Sequence, residues 1–262
     1  MIGAAALAEF AGRYPDRPAL IDHELSGHPL ATLPALRTLI RQMPDGTARL
    51  WDERQALFTQ SAGPEAASLL EDSAAGDAHF RFLGIEQTEP YGAWSNEIRR
   101  YLSPLLLGTS RGLAFTSPLL TVQLTDEESQ TRLFAQHALL LLLHGEMALS
   151  VKSSHVPETY GPDTHADGAE GLVLNTVPSE TGQGDDFNIA EGRALFLPAR
   201  APWSARIIRG PAMALVIRWT TQDVLRSEGS ARWRGRIGRH PSPARLPWLA
   251  SLEARLARLF EK

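Results

Sequence analysis

The stretch Ala190-Glu-Gly-Arg-Ala-Leu-Phe-Leu-Pro-Ala-Arg-Ala-Pro-Trp203 decides the fold of this chain. Gly192 predicts a tight turn, because glycine adopts backbone conformations that other residues avoid. The apolar run from Ala194 to Leu197 is typical of a buried strand, and the prolines on its carboxyl side end it. The stretch therefore predicts a strand, a turn and a second strand inside a β-rich core.

The chain from Leu113 to Trp219 continues this pattern of short apolar runs separated by Gly, Pro, Asp and Ser. Such regular spacing is typical of a β-sandwich or barrel. The predicted strands are Leu113–Phe115, Leu119–Leu124, Ala138–Leu143, Met147–Val151, Gly171–Val177, Ala194–Leu197 and Ala212–Trp219. The polar segments Ser153–Glu170 and Pro178–Asp186 are predicted to be loops.

Helical patterns occupy most of the first third and the last part of the chain. The predicted helices are Ala4–Phe10, Leu33–Met43, Pro64–Ala74, Trp94–Leu107 and Leu246–Phe260, with a strand at Phe80–Ile85. Pro104 is expected to end the fourth helix early. We expect a single domain over residues 1–262, with a helical part at 1–110, a β core at 111–222 and a helical extension at 223–262.

The composition excludes several classes of function. The 262 residues carry a net charge of −4 and contain no cysteine, which excludes disulfides, zinc–thiolate sites and cysteine nucleophiles. No apolar run is long enough to span a bilayer, and Met1–Phe10 has no basic leader. We therefore expect a cytoplasmic protein that does not bind membranes, and the charge does not favour nucleic acid.

Three segments resemble the cupin-like proteins related to JmjC hydroxylases, the cupin-8 group. They are Tyr14–Ile21, Phe82–Tyr91, and the set formed by Thr116–Pro118, Leu139–Val151 and Glu191–Trp203. The resemblance implies a double-stranded β-helix, or jelly-roll, barrel preceded by helices. In active members it implies iron held by a His-x-Asp pair and a distant histidine, with a lysine binding 2-oxoglutarate.

This chain departs from that pattern at the ligand positions. Trp203 occupies the place of the distant histidine, and an indole N–H only donates hydrogen bonds. Aligning on Gly145 puts Met147 at the lysine, Arg132 at the first histidine and Phe134 at the aspartate. Aligning on Thr116–Pro118 instead puts Leu124 at that histidine and Asp126 at the carboxylate. Neither register restores a His-x-Asp pair.

The resemblance therefore implies a non-catalytic cupin-like protein, a pseudoenzyme without cofactors, that binds a small molecule or a peptide or protein partner. The candidate pocket residues are Trp203, Arg132, Phe134, Met147 and Arg218. An equally weighted alternative is that Trp203 and Met147 only fill a collapsed barrel. The alternative is an Fe(II)/2-oxoglutarate oxygenase with a rearranged metal centre. Its candidate metal ligands are Asp126, His155 and His165.

Two histidines flank one predicted strand, and two further segments lie near the C-terminus. His137 and His144 flank one apolar run at an odd spacing, so on a strand they face opposite sides. The arginine-rich segment Arg226–Arg245 is interpreted as a solvated connection rather than a nucleic-acid site. The amphipathic face of Leu246–Phe260 suggests a homodimer through the C-terminal helix.

Overall fold

Two long antiparallel strands, His137–Lys152 and Pro202–Thr220, run side by side and organise the whole fold. The β-branched Val216 and Ile217 favour extended backbone in β13, and the continuous leucine run of β8 is typical of a strand buried on both faces. The computed structural model describes residues 2–29, 31–43, 48–52, 57–61, 63–72, 79–82, 85–89, 91–116, 118–123, 132–134, 136–152, 164–167, 171–174 and 184–226.

The helices and strands follow one another in a helix-rich first part and a strand-rich second part. The helices are α1 (Ala4–Arg13), α2 (Leu33–Arg41), α3 (Gly63–Asp72) and α4 (Tyr91–Thr109), with a 3-10 turn at Ile85–Gln87. The strands are β1 (Ala19–Asp22), β2 (Ala48–Asp52), β3 (Leu57–Ser61), β4 (His79–Phe82), β5 (Ala114–Phe115), β6 (Leu119–Gln123), β7 (Arg132–Leu133), β8 (His137–Lys152), β9 (Thr164–Asp167), β10 (Gly171–Leu174), β11 (Gly184–Ala190), β12 (Arg193–Leu197) and β13 (Pro202–Thr220).

Strands β8 and β13 each pass from one layer of the fold to the other. The first half of β8 lies between β12 and the second half of β13, whose other neighbour is β6. The second half of β8 lies between β11 and the first half of β13, whose other neighbour is β7. One apolar cluster joins the facing surfaces of both layers. This arrangement is a double-stranded β-helix, which confirms the predicted fold class.

A bulge at Gly145 marks the point where β8 changes layers. Gly145 has a φ of +85°, and the pairing of β8 with β13 shifts register beside it. Even-numbered residues face the barrel interior before the bulge (Ala138, Leu140, Leu142), and odd-numbered residues do so after it (Met147, Leu149, Val151). The inserted residue thus keeps apolar side chains inside on both sides of the bend.

A helical layer covers the outer face of one sheet. Leu139, Leu141 and Leu143 of β8 pack there with buried residues of α1, α2, α3 and α4. The Phe10 ring of α1 lies 5.0 Å from that of Phe196, edge to face. The first 110 residues also contribute strands, because β1 pairs with β12 and β4 pairs with β6. None of the described helices is long and apolar enough to cross a membrane.

Several helices, strands and loops in the structure differ from those predicted from the sequence. The two predicted strands Ala138–Leu143 and Met147–Val151 form one strand, because the Gly145 bulge bends the chain without ending the pairing. Pro104 lies inside α4, which continues to Thr109. Parts of the two predicted loops pair as β9 and β11. The predicted helix Leu246–Phe260 and the segment Arg226–Arg245, apart from Arg226, lie outside the described residues.

Gly145 should be a position where a side chain is costly. A Cβ atom there would lie 2.5 Å from the Pro211 carbonyl oxygen, on a backbone with positive φ. We expect Gly145→Ala to lower the free energy of unfolding by about 3 kcal/mol, because strain and a backbone clash add together. Urea denaturation measures the change.

Gly210 is the matched control for this substitution. It also has a positive φ, of +63°, but a Cβ atom added there would meet no atom of the described non-neighbouring residues within 4 Å. Gly210→Ala should therefore cost about 1 kcal/mol, from backbone strain alone. Equal losses for the two variants would contradict the claim that Gly145 is required by close packing at the bulge.

Candidate functional site at the barrel mouth

The turn between β12 and β13 joins four parts of the fold at one end of the barrel. Arg200, with a φ of +65°, donates its backbone N–H to the Phe134 carbonyl oxygen over 2.7 Å. Phe134 follows β7, and the start of β8 lies beside the end of β12. We call this end, at Phe134, Leu197, Trp203 and Arg218, the barrel mouth.

Two aromatic side chains lie together at the barrel mouth. The Trp203 and Phe134 ring centroids are 5.3 Å apart at an interplanar angle of 32°. Trp203 is 3% exposed and Phe134 is 6% exposed. Trp203 pairs in register with Arg132 of β7 on one side and with Val151 of β8 on the other. The tilted contact is a favourable geometry for aromatic rings.

Of the two sequence alignments, only the one on Gly145 chose residues that the structure describes at the barrel mouth. The alignment on Gly145 chose Arg132 and Phe134, and these are the residues that lie beside Trp203. Leu124 and Asp126 of the other register lie outside the described residues. For Arg132 the structure describes the backbone position only.

Met147 lies deeper in the barrel than the aromatic pair. It is buried in the interior cluster and pairs in register with Ile189 and Ile207. Ile207 is four residues beyond Trp203 on β13, which corresponds to about 13 Å along a strand. Met147 therefore lines the barrel floor and not the mouth.

Arg218 is a buried charge at the mouth. It follows Ala214 and Val216 on the interior face of β13 and pairs in register with Ala138, at the start of β8. The residue is 2% exposed. Among the described residues that are buried, it is the only arginine, lysine, aspartate or glutamate. Its guanidinium therefore supplies charged N–H donors on a largely apolar face.

Sequence reasoning did not single out His137 as part of this region. Its ring stacks on Trp219 at 5.8 Å on the helical side of the sheet, and its Nδ1 accepts the Ala199 N–H over 3.0 Å. Burial lowers the pKa of His137 to about 4, since the charged imidazolium would lose its hydration. His144, by contrast, is partly exposed and contacts Glu191 over 2.8 Å. The spacing argument does not apply to His144, because the register of β8 with β13 shifts beside it, where it pairs with Met213.

The residues at the mouth do not fit an iron centre of the facial-triad type. Phe134 and Trp203 offer no lone pair to a metal, and an arginine cannot be deprotonated in proteins. Within the described part of the chain, no group of three or more histidine, aspartate or glutamate side chains could hold a metal ion. Asp126 and His155 lie outside that part, and His165 is described only as a backbone position on β9.

The fold is a double-stranded β-helix of the cupin, or jelly-roll, class. No protein-family model matches the chain, and no curated protein matches its sequence. Solved structures do match. A structure of YcfD from Escherichia coli aligns with a TM-score of 0.57 at 15% identity, over 96% of this chain and 66% of that chain. The chain thus spans slightly less than two thirds of that protein.

Two further similar structures contain metal ions. YcfD, described as a ribosomal oxygenase, was solved with cobalt and 2-oxoglutarate, and it aligns at 14% identity with a TM-score of 0.53, over 96% of this chain and 65% of that chain. The epimerase SnoN was solved with Fe3+, alpha ketoglutarate and nogalamycin RO. It aligns at 13% identity with a TM-score of 0.53, over 84% of this chain and 85% of that chain.

These structures correct one sequence-based expectation. The departures at Arg132, Phe134 and Trp203 led to the expectation of a protein without cofactors. That expectation is wrong, because proteins of this fold were solved with cobalt, Fe3+ and 2-oxoglutarate.

The buried neutral state of His137 predicts a pH dependence of stability. Its pKa is about 4 in the folded chain and ordinarily 6.5, so the unfolded chain binds more protons between these values. Stability should be fully present above pH 6.5 and should fall by about 1 kcal/mol per pH unit as the pH drops toward 4. Urea denaturation at several pH values measures this slope.

A non-titrating side chain separates this effect from other acid effects. His137→Phe should lower stability at all pH values, because the Ala199 N–H loses its acceptor, and should flatten the slope between pH 6.5 and 4. Leu139→Ala is the control, because it removes a buried apolar side chain and no titrating group, so it should lower stability and leave the slope unchanged. An unchanged slope in His137→Phe would refute the assignment.

Proposed function

We propose that this chain is a non-catalytic binding protein of the cupin-like, JmjC-related type whose ligand enters the barrel mouth. The ligand would be a small organic molecule or a side chain of a peptide or protein partner. The observation that carries the proposal is the Trp203–Phe134 contact at 5.3 Å, at the end of the barrel where the resemblance expects metal ligands. A degenerate metal site has become, in this proposal, an aromatic binding surface.

Two properties of the mouth support ligand binding over simple filling of the core. Aromatic rings give a large contact area at low cost in conformational entropy, and binding pockets combine such rings with a few polar groups. Arg218 supplies a charged donor on the interior face at the same end. A core that only needed filling would be more stable with an apolar residue at that position.

The proposal extends to the organisation of the protein. We propose one domain over residues 1–262, with the β core at 111–222, acting in the cytoplasm. The absence of cysteine supports a reducing compartment. The pairing of two copies through Leu246–Phe260 stays a prediction, because that helix lies outside the described residues.

A second candidate function is an Fe(II)/2-oxoglutarate oxygenase with a rearranged metal centre. The observation that favours it is the set of similar structures solved with metal and 2-oxoglutarate. Iron would then need ligands from Asp126, His155 or His165, because the described mouth residues do not supply them. This candidate assigns catalysis to segments that the described residues do not include.

Trp203 should be required for ligand binding. A fragment library of neutral, cationic and anionic aromatic compounds can be screened by saturation-transfer NMR. We expect Trp203→Ala to weaken the fragments that bind by tenfold or more, because truncating a buried aromatic contact costs about 1–3 kcal/mol. Trp94→Phe is the matched control, since Trp94 is buried in α4 against Tyr91. Binding that survives in Trp203→Ala would contradict the proposal.

A turnover assay separates the two candidate functions. The purified protein is incubated with Fe(II), ascorbate, oxygen and 2-oxoglutarate, and succinate is measured. A non-catalytic binding protein should form no more succinate than the buffer control. Iron-dependent succinate formation that His155→Ala abolishes would overturn the proposal and establish the oxygenase.

A further inference from the structure

Four polar residues form a row at the barrel mouth on the layer opposite the aromatic pair. Arg218 and Thr220 alternate on β13 and therefore face the same side. Thr116 follows β5 and donates its backbone N–H to the Arg218 carbonyl oxygen over 3.0 Å, which puts it beside Arg218 in register. The fourth member is Gln136, just before β8. We call this set the polar row.

A side-chain hydrogen bond connects two members of the polar row across β13. The Thr116 hydroxyl donates to Oε1 of Gln136 over 3.2 Å, although the two residues lie on opposite sides of that strand. Arg99 of α4 braces Thr116 from outside, because its Nη2 donates to the Thr116 carbonyl oxygen over 2.7 Å. Arg99 is therefore a positioning residue for the row.

The Thr220 hydroxyl is independent evidence that a ligand binds at the polar row. The residue is 7% exposed, and its Oγ1 has no hydrogen-bond partner among the residues that the structure describes. A buried hydroxyl without a partner costs about 1–3 kcal/mol, so it is retained where something else completes it. It lies on the same face of β13 as the Arg218 guanidinium.

We propose that the barrel mouth binds an aromatic carboxylate, and this inference rests on the proposed binding function. The carboxylate would accept hydrogen bonds from Arg218 and Thr220, and the ring would pack on Trp203 and Phe134. The guanidinium gives charge-assisted hydrogen bonds that fix the orientation of the acid.

Calorimetric titration with phenylacetate and its neutral isostere phenylacetamide tests the ligand class. We expect phenylacetate to bind at least tenfold more tightly than phenylacetamide, and also more tightly than acetate or 2-oxoglutarate. Equal affinity for acid and amide would overturn the inference, and so would the absence of phenylacetate binding. If other fragments still bind through Trp203 in that case, the proposed binding function stands and only the ligand class is wrong.

Variants of the polar row test which residues recognise the carboxylate of the ligand. Arg218→Met should abolish the preference for acid over amide, and Thr220→Val should reduce it about threefold while keeping the side-chain shape. Arg206→Met is the control, because Arg206 is exposed on the outer face of the same strand. The wild-type ratio and Thr220→Val remain decisive if Arg218→Met does not fold. An unchanged preference in Thr220→Val and in any folded Arg218→Met would overturn the assignment.

Discussion

The pairing of β8 with β13 is the constraint on which the rest of the structure depends. The two strands lie side by side from the Trp203–Val151 pair to the Trp219–His137 pair, and they belong to both layers of the barrel. Every other described strand of this sheet pairs with one of them or with a neighbour of one, except β9, which pairs with β10 at the edge. The bulge at Gly145 lets this pairing continue through a change of layer, so a single irregular residue determines which side chains face inward in each layer.

The mouth of the barrel is a direct product of that pairing. Because β13 begins at the mouth, crosses the barrel and returns, it brings Trp203 near its start and Arg218 near its end to the same region. An aromatic surface on one layer and a polar row on the other follow from the alternation of side chains along one strand. The chemistry of the site therefore needs no long loop to assemble it.

The sequence was sufficient to predict the fold class and the approximate positions of most strands, because apolar runs and turn residues carry local information. It was not sufficient for the bulge, since nothing local distinguishes the Gly145 bend from a turn between two strands. Strand β11 was missed because its residues Asp185 and Asp186 are exposed and polar, and its pairing partner lies over 30 residues away. Thr220 and Gln136 were not predicted as site residues, because the role of a threonine or glutamine depends on its neighbours in the folded structure.

The order of strands along the chain has a consequence for synthesis. The apolar centre of β8, Leu139–Leu143, is covered on both edges only by β12 and β13, which are made more than 50 residues later. Until those residues leave the ribosome, this hydrophobic strand has no partner within the nascent barrel, and distant pairings of this kind form slowly. The newly made chain is therefore expected to need protection by chaperones until β12 and β13 have been synthesised.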